Sequence, residues 1–315
     1  MTLGDAIELY IQWRRSHGAK FVTGARLVRG LLRYADGAAS CDAVTTDQAI
    51  TYMAGAGPLT RHRENKCYAL AGFWRHAISR GHASRSPLPV DEPRPPRRAP
   101  PYIYSQDELR RLFDPATVAL SRCGAVQLDA ATFRVLLLLL YGAGLRYGEA
   151  TRLELADVDL VEAVLTIRAT KFFKSRLVPI GPQLAAVLGC HMALHGGGGQ
   201  PGSQPTFLLA NPDGTVLATS TVQDAFDKLR RITGLAASPG TRTPRMHDLR
   251  HSFAVHSLTS WYRRGADVQR LLPALSTYLG HADLEGTKVY LTMTPELLQQ
   301  ASLRFSSYAA GGRDA

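Results

Sequence analysis

Arg146, Lys171, His247, Arg250, His281 and Tyr290 are six polar residues set in local sequences that otherwise read as buried structure. Together they hold the parts for chemistry on one phosphodiester: cations for the phosphoryl oxygens, groups that transfer protons, and a phenol to attack phosphorus. A metal-free phosphoryl transfer needs these parts, because little covalent chemistry remains once charge and position are supplied. A phenol ester of phosphate keeps the energy of the broken bond. The released hydroxyl can therefore reverse the step without ATP or metal.

Each residue also has an ordinary structural reading. Arg146 follows Tyr-Gly-Ala-Gly-Leu at the end of an apolar helix, where an arginine can snorkel to solvent. The two glycines argue for a bend that aims its guanidinium into a cleft, with Glu149 three residues on to hold it. In Met-His-Asp-Leu-Arg-His, His247 and Arg250 are spaced to share one helix face. His247 and His251 have the spacing of metal ligands, but the stretch lacks the Glu of His-Glu-x-x-His and an evident third ligand. Arg250 would also repel a metal, whereas an arginine beside a histidine suits gripping a phosphate and exchanging a proton with it. No metal and no cofactor is expected. His281 after Leu-Gly fits a helix cap, and Tyr290 in Lys-Val-Tyr-Leu fits core packing. The competing phenol, Tyr278, lies on the other side of His281 and reads as packing.

The elements that must position these groups fall into two blocks. Residues 1–83 read as a small helical domain. Thr2 caps a first helix carrying Leu3, Ile7, Tyr10 and Ile11, and Leu27, Val28, Leu31 and Leu32 mark a second. Thr46 opens a third, and Thr60 a fourth with Cys67, Leu70, Ala71, Trp74 and Ile78 as its apolar stripe. The fourth also bears Arg61, Arg63, Lys66, Arg75 and Arg80, either a solvated basic face or a DNA contact. Residues 84–104 are a linker, whose stretch 84–101 holds seven prolines and four arginines. Residues 105–315 form the second domain, opened by a Ser105–Glu108 capping box. A buried helix through Phe133 and Leu136–Leu140 follows. Strands at Val164–Arg168 and Arg176–Ile180 are joined by a turn containing Lys171, and helices near 220–233, 246–260, 266–279 and 295–305 complete the domain. The fold class is mainly α with a small β-sheet.

Composition bounds the partner. The chain of 315 residues is 45% apolar and 20% charged, with a net charge of +11, which points to a polyanion such as nucleic acid. Its most apolar run, Val135 to Leu145, has 11 residues against the roughly 20 that a membrane span needs, so no membrane partner is expected. Cys41, Cys67, Cys123 and Cys190 are widely spaced and suit thiols in a reducing, cytoplasmic compartment.

The strings Gly-Leu-Arg-Tyr-Gly-Glu, His-Asp-Leu-Arg-His and Leu-Gly-His followed by Tyr290 resemble the tyrosine recombinase (phage integrase) family. The resemblance covers the second domain, and the first matches more loosely the family's helical core-binding, SAM-like domain. It implies a site-specific recombinase that cleaves and rejoins double-stranded DNA through a 3′-phosphotyrosine. By resemblance Arg146 and Arg250 clamp the scissile phosphate, Lys171 protonates the leaving 5′ oxygen, His247 handles the tyrosyl proton, His281 hydrogen-bonds the phosphate, and Tyr290 attacks. It also implies a homo-tetramer on paired sites, with companion recombinases as a further class of partner, in a bacterial cytoplasm at the nucleoid. Two departures stand out. The turn reads Lys-Phe-Phe-Lys, which makes Lys174 a rival general acid. The segment between Gly265 and His281, with its Leu-Pro-Ala-Leu-Ser-Thr-Tyr, looks like recombinases encoded by certain bacterial transposons. The competing class is a DNA-binding accessory protein that keeps the fold without catalysis.

Overall fold

The computed structural model describes residues 1–55, 60–90, 100–121, 128–168, 175–195, 207–211, 214–237, 242–281 and 285–292, with 299 and 302. Two compact units, Met1–Arg98 and Ala99–Ala315, make up the chain.

The first unit holds α1 (Leu3–Ser16), α2 (Val22–Arg29), α3 (Thr46–Ala54) and α4 (Arg61–Ser79). The Thr2 hydroxyl accepts from the Asp5 amide, Asp5 lies in the first turn of α1, and Arg14 and Arg15 lie in its last, matching both ends of the helix dipole. Leu3, Ala6, Ile7, Tyr10 and Ile11 give α1 one buried stripe. Thr45 and Gln48 form a full capping box at the start of α3. The buried face of α4 is Leu70, Phe73, Trp74 and Ala77. It is rotated from the expected stripe, because Phe73 enters the core while Ile78 is left 41% exposed. The unit also runs past residue 83: the Ser84 amide donates to Asp42 Oδ1 at 2.8 Å, and Leu88 packs on the same core.

The second unit starts before Ser105. Tyr104 is fully buried, its amide donating to Ser252 Oγ at 2.9 Å and its hydroxyl to the Arg245 carbonyl at 3.0 Å. Both ends of the expected linker therefore pack, each on its own unit. The unit's helices are α5 (Gln106–Phe113), α6 (Pro115–Leu120), α7 (Ala130–Gly142), α8 (Tyr147–Ala150), α9 (Pro182–His195), α10 (Thr219–Ile232), α11 (Asp248–Arg263), α12 (Val268–Leu279) and α13 (Glu285–Lys288). The Ser105–Glu108 capping box is present at α5. Helix α7 is apolar nearly all round and packs against α6, α9 and α11, as its leucine run requires of a core helix.

One antiparallel sheet, in the order β1 (Val158–Asp159), β2 (Val164–Ile167), β3 (Arg176–Pro179), lies among these helices. Its short first strand makes two pairings, Val158 with Leu165 and Asp159 with Val164, and has no periodicity in the sequence to announce it. Register across β2 and β3 runs from Val164 opposite Pro179 to Ile167 opposite Arg176, and β3 packs on α12. Lys171 and Lys174 lie outside the described residues, as does the expected terminal helix apart from Gln299 and Ser302.

Cys41, Cys67 and Cys190 form no disulfide among the described residues, and Cys123 lies outside them. Among the described residues no helix is long and apolar enough to cross a membrane.

Candidate active site

Helix α7 ends in a turn that only small residues allow. Gly144 sits at φ +58°, and a Cβ there would lie 2.6 Å from the Phe253 ring. The close approach leaves the Gly144 carbonyl free to accept from Arg250 Nη1 at 2.6 Å. Two residues on, Arg146 occupies the N-cap position of α8, where its amide donates to Glu149 Oε2 at 3.0 Å. Its guanidinium donates to Glu149 Oε1 at 2.7 Å and to the Gly280 carbonyl at 2.7 Å.

Three arginines converge on the C-terminus of α12. Arg176, at the head of β3, donates to the Tyr278 carbonyl at 2.9 Å, Arg250 to the Leu279 carbonyl at 2.5 Å, and Arg146 to the Gly280 carbonyl at 2.7 Å. Those carbonyls are the unpaired acceptors of a helix end and carry its partial negative charge, so they suit guanidinium groups. Gly280 closes α12 at φ +65°, and a Cβ there would lie 2.7 Å from the Arg176 guanidinium.

Glu149 is the anion of the cluster. It accepts two bonds from Arg176, at 3.1 and 2.8 Å, besides those from Arg146, and lies 4.0 Å from Arg250. Burial pushes its carboxyl up, but the bonds and charge from Arg176 and Arg146 outweigh that and hold it at about 2. One carboxylate against three guanidinium groups leaves the cluster with surplus positive charge. The side chains of Arg250 and Arg176 are 2% and 10% exposed and that of Arg146 is 33%, so Arg146 is the cation a ligand meets first. Burial, followed by the Arg146 charge, lowers Arg250 to about 10, and it stays cationic at neutral pH. Such a site favours an anion that can share the guanidinium donors.

Beside the arginines lies the aromatic half of the site. His247 occupies the N-cap position of α11, and the fully buried Asp248 behind it accepts from the Arg245 amide at 2.9 Å and from Arg242 at 2.7 Å. The His247 ring meets that of His251 edge to face at 4.9 Å. Tyr290 is 2% exposed and packs with Ala254, Val255, Leu258, Leu275 and Leu279. Its hydroxyl lies 2.9 Å from His251 Nδ1, and its ring faces that of His281 at 6.2 Å. His281 Nδ1 pairs with Thr287 Oγ1 at 2.7 Å. Burial raises the Tyr290 phenol, and the Arg250 and Arg146 charges pull it back down. Burial, then the Arg250 charge, lowers His247. Burial, then the charges of His247, Arg242, Arg250 and Arg245, lowers His251 to about 3.

Arg146, His247, Arg250, His281 and Tyr290 thus come together from α8, α11 and the segment after α12. Sequence reasoning missed Arg176 and did not place His251 against the tyrosine. For Arg176 the sequence carries no local signal, since it is one charged residue opening an apolar strand. The signal for His251 was present in His-Asp-Leu-Arg-His, but its spacing was weighed only as metal-ligand spacing. Among the described residues no three His, Cys, Asp or Glu side chains are grouped as metal ligands.

Residues 104–296 match the model of the Phage integrase family, and the chain belongs to that family. It is a site-specific tyrosine recombinase. A Sinorhizobium fredii protein with the provisional name integrase/recombinase y4rB is 35% identical over 308 residues, covering 96% of each chain. The tyrosine recombinase XerC of Chlorobaculum tepidum is 33% identical over 264 residues, covering 78% of this chain and 73% of its own. Among solved structures, lambda integrase in a tetramer bound to a Holliday junction shares the fold at a TM-score of 0.67 and 17% identity, over 90% of this chain and 78% of that one.

Proposed function

We propose that this recombinase cleaves and rejoins double-stranded DNA at a specific site through a 3′-phosphotyrosine at Tyr290. The observation that carries the reading is the group of three arginines and one carboxylate beside a buried tyrosine hydroxyl. Arg146 and Arg250 keep their helix-end carbonyl partners and offer further guanidinium N–H groups to the phosphoryl oxygens, and Glu149 and Arg176 hold Arg146 in place. The Tyr290 oxygen bonds to phosphorus as the bond to the 5′ oxygen breaks, and Lys171 protonates that oxygen, with Lys174 as its rival. His281 bonds the phosphate. The step needs no metal and no cofactor.

The test is trapping on a nicked suicide substrate carrying the site. The wild type should give a covalent DNA–protein adduct in the presence of EDTA, and Tyr290→Phe should give none. An adduct that persists in that variant would sink the assignment. Lys171→Ala should be rescued by a substrate with a 5′ bridging sulfur; rescue of Lys174→Ala instead would move the general acid.

For the first unit we propose DNA binding. Arg15, Arg26, Arg29 and Arg33 line a cleft of about 350 Å³ on α1, α2 and the turn that follows, which supports contacts to phosphates. Assembly as a homo-tetramer on paired sites, the inclusion of companion recombinases, a cytoplasmic place at the nucleoid, and service to a bacterial mobile element complete the proposal. The DNA flanking the gene tests the last point, since element ends with short repeats would supply target and role together.

A further inference from the structure

The Tyr290 hydroxyl has a histidine partner in this structure, and it is His251 rather than His247. The Tyr290 hydroxyl lies 2.9 Å from His251 Nδ1, within ordinary hydrogen-bond range. The His247 ring meets the His251 ring edge to face, at 4.9 Å between centroids. His281 stacks ring to ring with Tyr290 and has its Nδ1 on Thr287. The rings of His251 and Tyr290 are 5.6 Å apart and tilted at 56°.

We infer that His251 is a further catalytic residue, the group that accepts the Tyr290 proton on attack and returns it on rejoining. The inference rests on Tyr290 being the nucleophile. In cleavage the Tyr290 oxygen forms its bond to phosphorus while the bond to the 5′ oxygen breaks, and the electron pair leaves with that oxygen. The phenol proton passes to His251 Nδ1, and the 5′ oxygen takes a proton from the lysine general acid. Rejoining runs the same transfers backward, so His251 protonates the departing tyrosine and the lysine takes the proton of the incoming 5′ hydroxyl. Protons and charge balance in both directions.

Neutral imidazole is the form this role needs, with Nε2 protonated and Nδ1 open. Burial and the flanking charges of His247, Arg242, Arg250 and Arg245 favour the neutral ring in the free protein. A phosphate bound on Arg146 and Arg250 adds negative charge beside those cations. It therefore makes His251 a better base only when DNA is in place, and the phenol stays protonated until then.

The experiment is single-turnover formation of the covalent adduct on the nicked suicide substrate, using the full chain. His251→Ala should slow adduct formation by about 100-fold or more, the scale of a lost proton-transfer group, with DNA affinity unchanged. Added imidazole should restore at least about tenfold of that loss, which a merely structural role would not allow. His251→Asn places an acceptor near the Nδ1 position but cannot keep a proton, so it should remain slow; this variant carries the test if the alanine variant fails to bind DNA. Cleavage within about threefold of wild type in either variant would overturn the inference, as would absence of imidazole rescue in a DNA-binding alanine variant. If the wild type forms no adduct, or Tyr290→Phe still forms one, it is the assignment of Tyr290 that fails, and that result is read separately.

Discussion

The arginine half and the tyrosine half of the site are built differently. Arg146, Arg176 and Arg250 are each held by at least two bonds, to Glu149 or to the carbonyls of Gly144, Tyr278, Leu279 and Gly280. Among the described residues Tyr290 is held by a hydrogen bond to His251 and by ring and aliphatic packing, on a short 3₁₀ turn at Val289–Thr292. The charges that meet a transition state cost no reorganisation when they are fixed in advance. The tyrosine proposed as nucleophile must give up its resting partner to form a bond, and a multi-bonded cage would oppose that. Disturbing the first half should therefore damage both stability and chemistry, while disturbing the second should damage chemistry alone.

The largest joint effect on cleavage and stability should come from Arg250→Ala. Removing this buried cation should slow single-turnover cleavage by about 100-fold or more, an amount comparable to loss of an oxyanion donor. The Gly144 and Leu279 carbonyls would lose their donor, so urea unfolding should also show lower stability. Slow cleavage with unchanged stability would break the comparison on the arginine side.

Glu149→Gln should come next, costing about 2 kcal/mol at neutral pH as charge-assisted bonds from Arg146 and Arg176 weaken. Its pH dependence has a definite sign. The folded carboxyl lies at about 2, below its ordinary value of 4.5, so its stabilising contribution is present above that value and is lost as pH falls toward 2. Thermal midpoints measured across this range should fall less steeply in the variant than in the wild type.

Gly280→Ala should cost about 1–2 kcal/mol, from the left-handed backbone and the approach to Arg176. Cleavage should slow with it because the carbonyl partner of Arg146 shifts. On the tyrosine side, Tyr290→Phe should abolish the adduct yet change stability by no more than about 1 kcal/mol, the worth of one hydrogen bond. A large stability loss in that variant would show the nucleophile to be as structural as the arginines. The smallest effect belongs to the first unit: Arg26→Ala or Arg33→Ala should lower the salt slope of DNA binding by about one each, without altering cleavage at saturating protein.

Much of the architecture was legible because it depends on neighbours a few residues apart. The Thr2 cap, the Ser105–Glu108 box and the buried run through Leu136–Leu140 stand where their spacing puts them. The strands of the hairpin also fall within a residue of expectation. The face that α4 buries was misjudged because its apolar residues allow two overlapping stripes, and the packing partner chose between them. The sheet's first strand escaped notice because two residues carry no periodicity. In the site, the identities of Arg146, His247, Arg250, His281 and Tyr290 were readable from short motifs, but their partners were not.

The sequence by itself determined the family and the mainly helical class and named the candidate site residues, since these are written in local strings and in the spacing of apolar side chains. Only the tertiary structure decided what each group touches. Arg250 meets Gly144 across 106 residues, Arg176 meets Tyr278 across 102, and Tyr290 meets His251 across 39. Those contacts depend on how α7, β3, α11 and α12 pack, and on which carbonyls the end of α12 leaves without a backbone donor. A motif records which side chains are present, whereas hydrogen-bond partners a hundred residues apart are chosen by the geometry of the packed core.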